Sequence, residues 1–322
     1  MIVSLLSQKN NPLLKLKVLM ADLRPSRWKI SAAFLAVYGL WGSTYLAIGF
    51  AIKTLPPFLM AGFRFLIAGS ILCLWARLRG AARPQAVHWR SAFLIGLLLL
   101  LGGNGGVVWA QQFVPSSVAA VLVATVPLWM VVLQRFSHRG SRLGLRVGAG
   151  LLLGLGGVGL LAAPDPSSLQ ATPPAAAAVL LAAALSWAAG SLLTRELPLP
   201  ESSALAIGMQ MLCGSAALLA AAWAAGDFGR FNPSEVSLIS VVSLVYLIIF
   251  GALAGFSCYL WLVRVTPPYL SSTYAYVNPA VAVFLGWLIG GETLSGRLLI
   301  GAAVILTSVA MILLGPPADL RK

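Results

Sequence analysis

Ala61-Gly62-Phe63-Arg64-Phe65-Leu66 returns downstream as Ile207-Gly208-Met209-Gln210-Met211-Leu212, and that recurrence decides the fold. Trp41, Gly62 and Arg64 are matched by Trp187, Gly208 and Gln210, each 146 positions later. Pro115 and Pro127 are matched by Pro267 and Pro279, each 152 later. Around these anchors the apolar segments divide five and five. With an odd number of crossings per half, the second half must enter a bilayer from the opposite side. The expected fold is an all-α polytopic membrane protein, ten transmembrane helices in two inverted five-helix repeats. Secondary transporters are commonly built this way, with the substrate site where the repeats meet.

Of the 322 residues, 59% are hydrophobic and only 9% charged, against about 25% charged in soluble domains. The ten apolar segments run over 30–51, 57–78, 90–111, 116–136, 143–163, 174–194, 203–225, 238–263, 269–289 and 296–314. Each is near the roughly 17–25 residues that a spanning helix needs. The chain thus divides into a tail at 1–29, a first repeat at 30–163, a linker at 164–173, a second repeat at 174–314 and a tail at 315–322.

The net charge of +14 invites a nucleic-acid reading, but the placement of the cations argues against it. With the N-terminus inside, the inner side holds six Lys and Arg in 1–29, four in 77–90 and four in 135–146. Arg195, Arg264, Arg321 and Lys322 complete that side. The outer side holds Lys53, Arg230 and Arg297. Cytoplasmic loops carry the excess of Lys and Arg, so this bias puts both termini in the cytoplasm and makes the charge a topology signal. The expected partners are a small-molecule substrate and the lipid bilayer, not nucleic acid, and a homodimer is left open. Residues 1–29 lack the apolar core and cleavage site of a secretory signal and read as a disordered tail, with Met20 an alternative start. Cys73, Cys213 and Cys258 each fall in a different span and read as small packing residues.

Arg64 is the only charge well inside a span, where insertion costs roughly 2.5–3.5 kcal/mol. Three readings stay open for it: snorkelling to the outer interface, hydrogen bonding to carbonyls freed by a broken neighbouring helix, or holding a substrate carboxylate or phosphate. Neutral Gln210 in the second copy makes any charge-based site asymmetric. All eight acids fall at span ends or in loops, and both histidines lie in loops. A buried proton relay is therefore weakly supported, and an intramembrane enzyme is disfavoured for want of a nucleophile with a base, paired carboxylates or metal ligands. Glu292, near the outer mouth, reads as a loop-turn or helix-start residue. No cofactor is implied.

Gly102-Gly103-Asn104-Gly105-Gly106 weakens the third span by roughly 1 kcal/mol per glycine. Irregular backbone at that depth survives only under cover of protein or beside a cavity, so Asn104, Trp109, Gln111 and Gln112 are candidates to line one. Trp41 and Trp187 sit well inside their spans, where each indole N–H needs a partner or water. Tyr45, Tyr274 and Asn278 add polar groups, Tyr274 and Asn278 sharing one face. The candidate substrate-binding set is Trp41, Tyr45, Arg64, Asn104, Trp109, Gln111, Trp187, Gln210, Tyr274 and Asn278. Pro127 and Pro279, each near the middle of its span, remove a helical hydrogen bond and are candidate hinges or fixed bends. Glycine pairs at four-residue spacing (102/106, 251/255, 286/290) suit close helix packing, sliding or static.

Taken together, Trp-Gly-Ser-Thr-Tyr at 41–45, the stretch from Pro56 to Gly69, Gly-Gly-Asn-Gly at 103–106, Ser-Thr-Tyr-Ala-Tyr-Val-Asn-Pro at 272–279 and Gly-Gly-Glu at 290–292 resemble the EamA-type permeases of the drug/metabolite transporter superfamily. The resemblance covers about residues 30–314. It implies a ten-helix transporter with cytoplasmic ends, a central cavity and, often, efflux of amino acids, metabolites or drugs across a bacterial inner membrane. Many relatives carry a second Gly-Glu pair after the fourth helix; here that place reads His138-Arg139-Gly140. The expected function is a secondary transporter or facilitator working by alternating access, most naturally an exporter, with a passive channel as the alternative.

Overall fold

The computed structural model describes residues 26–136, 145–162, 172–266, 271 and 274–313. The N-terminal tail to residue 25, the His138-Arg139-Gly140 segment, Pro267, most of the 164–173 linker and the C-terminal tail lie outside the described residues. Apolar helices account for the fold, with no strand among the described residues. They are α1 (Arg27–Ala51), α2 (Pro57–Leu78), α3 (Ala86–Ala110), α4 (in two pieces, Ser116–Val123 and Val126–Phe136), α5 (Leu145–Ala162), α6 (Pro174–Glu196), α7 (Ser203–Ala224), α8 (Leu238–Val265), α9 (Tyr274–Leu288) and α10 (Gly296–Leu313). Seven of them, α1–α4 and α6–α8, are long and apolar enough to cross a bilayer, and the others are shorter apolar helices.

The repeats are not two bundles set side by side. The most extensive seam joins α2 to α7, followed by α5 to α10, each pairing equivalent helices of the two halves. Helix α1 packs on α8 and α9, and in matching fashion α6 packs on α3 and α4. Small residues allow this interleaving. A methyl group at Gly62 would lie 2.7 Å from Leu219 of α7, and one at Gly208 would lie 2.6 Å from the Cys73 sulfur of α2. Ser215 then reaches the freed approach and donates to the Gly62 carbonyl at 2.9 Å. Close van der Waals contact and interhelical hydrogen bonds replace the hydrophobic driving force, which is absent between helices in lipid.

On α2 the exposed face carries Phe63, Ile67, Ile71, Leu74 and Trp75, spaced for one lipid-facing stripe. Arg64, one helical repeat before Ile71, is covered by α8 and is only 3% exposed. Snorkelling is thereby excluded as its role.

Two helices depart from α geometry at matched places. Leu97–Gly105 of α3 and Leu247–Phe256 of α8 are π-helical, so the irregular backbone expected at the glycine-rich segment is present and has a partner in the other half. In α4 the chain breaks at Ala124-Thr125, so Pro127 sits in the first turn of the second piece, not in the middle of a kinked helix. That position suits proline, because an N–H there has no intrahelical acceptor. Pro279 lies inside the continuous helix α9. The two prolines, candidate hinges or fixed bends, thus differ in local backbone, one just after a helix break and one inside a helix.

Two helices of the first half start at one rim behind a proline that offers no side-chain cap: α2 after Pro56 and α4 after Pro115. Both borrow an acid from the second half. The Phe58 and Leu59 amides donate to Asp227 Oδ2 at 2.9 and 3.2 Å. Ser116 donates to Glu292 Oε1 from its amide at 2.8 Å and its hydroxyl at 2.6 Å, and the Ser117 amide donates to Oε2 at 3.1 Å. A carboxylate here satisfies orphan N–H groups and meets the positive end of the helix dipole. Glu292 reaches this place because Gly291, at φ +69°, turns the chain back after α9. Its carboxylate then lies over Gly286, where a methyl group would come within 2.6 Å of Oε2.

Candidate substrate cavity

Between the halves lies a small, partly enclosed cavity. Its wall is drawn from both repeats: Trp41, Thr44, Tyr45 and Ile48 of α1; Arg64 and Phe65 of α2; Gly103, Asn104 and Val107 of α3; Val123 of α4; Ala183 and Trp187 of α6; Gly251 and Phe256 of α8; Tyr274 and Asn278 of α9. Seven of the ten residues expected from sequence meet here: Trp41, Tyr45, Arg64, Asn104, Trp187, Tyr274 and Asn278.

The repeated tryptophans touch edge to face, ring centroids 5.4 Å apart. Each indole has the partner that its depth demands. Trp41 Nε1 donates to the Gly251 carbonyl at 3.1 Å, and Trp187 Nε1 donates to the Tyr259 hydroxyl at 3.3 Å. The hosting sites are related by the repeat. A methyl group at Gly255 of α8 would lie 2.5 Å from Trp41 Nε1, and one at Gly103 of α3, 152 positions earlier, 2.8 Å from Trp187 Cε3. Ser186, beside Trp187, donates to the Leu98 carbonyl in the π-helical part of α3 at 2.8 Å. Carbonyls in the π-helical turns thus serve as acceptors for side chains from the other repeat.

Arg64 uses the same device. Its Nε donates to the Leu247 carbonyl of α8 at 3.1 Å, as expected for a cation facing a broken neighbouring helix. Gly251 leaves room for the guanidinium, since a methyl group there would lie 2.5 Å from Nη2. The guanidinium carbon stands 4.8 Å from the Phe65 ring centroid. Its Nη1 is buried without a hydrogen-bond partner, and so is Oδ1 of Asn104. Among the described residues no carboxylate pairs with Arg64. The cavity therefore offers an unshared cation, an unshared acceptor and a mostly aromatic wall. Asn278, with its amide turned so that Nδ2 donates, bridges the Tyr38 and Tyr274 carbonyls at 3.3 and 3.2 Å.

Three expected residues do not line this cavity. Gln210 is fully buried in α7 where that helix meets α3 at Gly96, with both amide atoms unpartnered. In α8 Gly251 makes room for Arg64, but 152 positions earlier stands Leu99, whose buried side chain packs on Gly190 of α6. Trp109 stacks on Phe113 at 4.9 Å. Gln111 donates from Nε2 to the Tyr45 carbonyl at 3.0 Å and lines a separate recess with Lys53, Ser116 and Glu292. The α3 turns beyond the π-helical stretch carry these two residues away from the cavity that Asn104 enters. Behind the cavity wall, the sequence reading missed Tyr259, which supports Trp41, Trp187 and Tyr274 without lining the cavity. It is fully buried, lies 4.8 Å from Trp41 and 5.4 Å from Tyr274 by ring centroids, and shares a 2.7 Å hydrogen bond with Ser191. Its signal was a tyrosine inside an apolar span with a serine available on a neighbouring helix.

Two pseudo-symmetric, interleaved halves enclosing a mostly apolar cavity with a few polar groups define a polytopic membrane protein of the inverted-repeat kind. The EamA-like transporter family model matches residues 27–163 and again 174–314, and the chain belongs to that family. It is similar to the "Uncharacterized inner membrane transporter YedA" of Escherichia coli (strain K12), 39% identical over 285 residues, 88% of this chain and 90% of that protein. The "Uncharacterized transporter YoaV" of Bacillus subtilis (strain 168) is 25% identical over 288 residues, 88% of this chain and 96% of that protein. A solved crystal structure superimposes with a TM-score of 0.62 at 23% identity, covering 90% of this chain and 98% of that one, and so shares the fold.

Proposed function

We propose that this membrane transporter carries small organic solutes bearing an anionic head and an apolar or aromatic body, by alternating access and outward across a bacterial inner membrane. The observation that carries the reading is Arg64: a buried guanidinium in the cavity between the repeats, with Nη1 unpartnered and no acid beside it. A carboxylate or phosphate oxygen would complete its hydrogen bonding and offset its charge. Asn104 Oδ1 would accept from a donor on the same solute, and the faces of Trp41, Trp187 and Tyr274 would cover its body. Inner-membrane placement is supported by the name of the Escherichia coli relative. The cation bias supports cytoplasmic termini, which puts the rim carrying Lys53, Asp227 and Glu292 outside.

Counterflow into proteoliposomes, tested against labelled organic anions, amino acids and amphipathic cations with and without a pH gradient, checks this proposal. Saturable exchange of an anionic-headed solute is expected, and Arg64→Gln should lower it at least about tenfold, the equivalent of one charged hydrogen bond, in a protein that still purifies as a single species. Unchanged exchange by that variant would confine Arg64 to packing. A flux that does not saturate and shows no exchange would indicate a channel.

A further inference from the structure

The two acids that fasten one rim have no acidic counterpart in the repeated sequence. At the rim carrying Lys53, Asp227 and Glu292 both reach from the second half to helix starts of the first, as described above. At the other rim the matching places hold no acid. Asp227 follows Gly226, whose φ of +74° is matched by Gly80 at +83°, 146 positions earlier; there the next residue is Ala81. Helix α7, the counterpart of α2, is capped locally, its Leu205 amide donating to Ser202 Oγ at 3.3 Å. The residue 152 positions before Glu292 is Gly140.

The two acids also differ from each other. Asp227 is fully buried, pairs with Arg230 and extends the α2–α7 seam, the largest in the fold. Glu292 is partly exposed and ties α4 to the turn between α9 and α10. Its bonds lie in a recess that Leu46, Gly49 and Lys53 of the α1 end share with Gln111 and Ser116. Tyr45 and Ile48 of α1 line the central cavity, while Gly49 of α1 and Lys53, in the turn just after it, line the recess. The Glu292 contact therefore stands between the cavity and the rim, and water can replace it when it parts.

We propose that Glu292 is the clasp that holds this rim shut over the cavity, a positioning residue that acts through the start of α4 and biases the empty transporter toward opening at the opposite rim. This rests on the alternating-access reading above.

The test needs no substrate. In a chain with Cys73, Cys213 and Cys258 replaced by serine, Ile48→Cys reports access to the cavity. An impermeant maleimide is applied to right-side-out and inside-out membrane vesicles. Glu292→Ala is expected to raise labelling from the Lys53 side about tenfold, the scale of one lost helix cap, and to lower labelling from the other side. Ser116→Pro should do the same by deleting the two partners of Oε1. It can do so without breaking α4, because residue 116 is the first helical position and Pro115, at φ −57° and ψ 155°, already has the backbone that must precede a proline. Adding Ser116→Pro to Glu292→Ala should give little further change. Glu292→Gln, which keeps an acceptor oxygen, should fall between wild type and Glu292→Ala, and it decides the matter if the alanine variant does not fold.

Unaltered labelling in both Glu292→Gln and Ser116→Pro would overturn the clasp, as would an equal rise from both sides. If wild type and variants all label from one side alone, with no difference between them, alternating access itself fails. A wild type that alternates, with variants that match it, removes only the clasp.

Discussion

At the scale of single residues, Arg64 shows how a charge is kept inside a membrane protein. Burial of a guanidinium is unfavourable unless its donors are met. Here one donor is met by the Leu247 carbonyl of α8, while Nη1 is buried without a hydrogen-bond partner. That arrangement depends on Gly251 having no side chain. Gly251→Ala is expected to push the guanidinium aside and to destabilise the fold by roughly 1–3 kcal/mol, the range for overpacking. Exchange of anionic solutes should be lost along with a fall in Tm; an alanine variant with normal exchange would refute the fit. Arg64→Lys should not restore transport, because an ammonium cannot donate to Leu247 and to a solute in the same fork geometry. Counterflow with the lysine variant checks this. The candidate residues were legible as polar or aromatic groups at costly depth. Whether each faced the cavity was not: Asn104 does, whereas Gln210 is enclosed where α7 packs closely on α3 at Gly96.

Among the elements, the π-helical stretches and the acid caps carry the design. A π-helical stretch frees carbonyls and widens the helix, and the two halves place theirs at matched positions, each receiving side chains from α1, α2 or α6 of the opposite half. The glycine run in α3 announced one of them; α8 has only Gly251 and Gly255 in an otherwise apolar stretch, too ordinary a pattern to mark the other. The caps were also hidden, since they join residues about 170 positions apart. Asp227→Ala would strand two amides of α2 in a fully buried place, so a loss of roughly 1–3 kcal/mol is expected. Glu292→Ala should lower Tm less, because water reaches that site. Thermal unfolding of both variants in detergent tests the ordering, and a reversed order would contradict the contrast in burial. The glycine pairs likewise serve several ends: Gly251 and Gly255 admit Arg64 and Trp41, and Gly286 admits the Glu292 carboxylate, so neither pair is simply a helix-packing stripe.

The whole molecule is held together mainly between repeats, not within them. Helices α1 and α6 each lie among helices of the other half, and the α2–α7 and α5–α10 seams tie equivalent helices. Residues 1–168 alone would leave Arg64, Trp41 and the amides of α2 and α4 without their partners. Expressed separately, each half is expected to be degraded or aggregated, and co-expression should restore a complex that copurifies. A first half that is stable and monodisperse by itself would overturn this view. The sequence by itself determined the all-α membrane class and the two-fold repeat, because hydropathy and a fixed offset are local or periodic quantities that survive without knowledge of contacts. Only the tertiary structure decided which polar residues share one cavity, which proline sits at a break and which acids fasten the rim. Those outcomes depend on the close approach of helices distant in the chain, and at each crossing one side chain more or less fixes whether there is space, a seam or a bond.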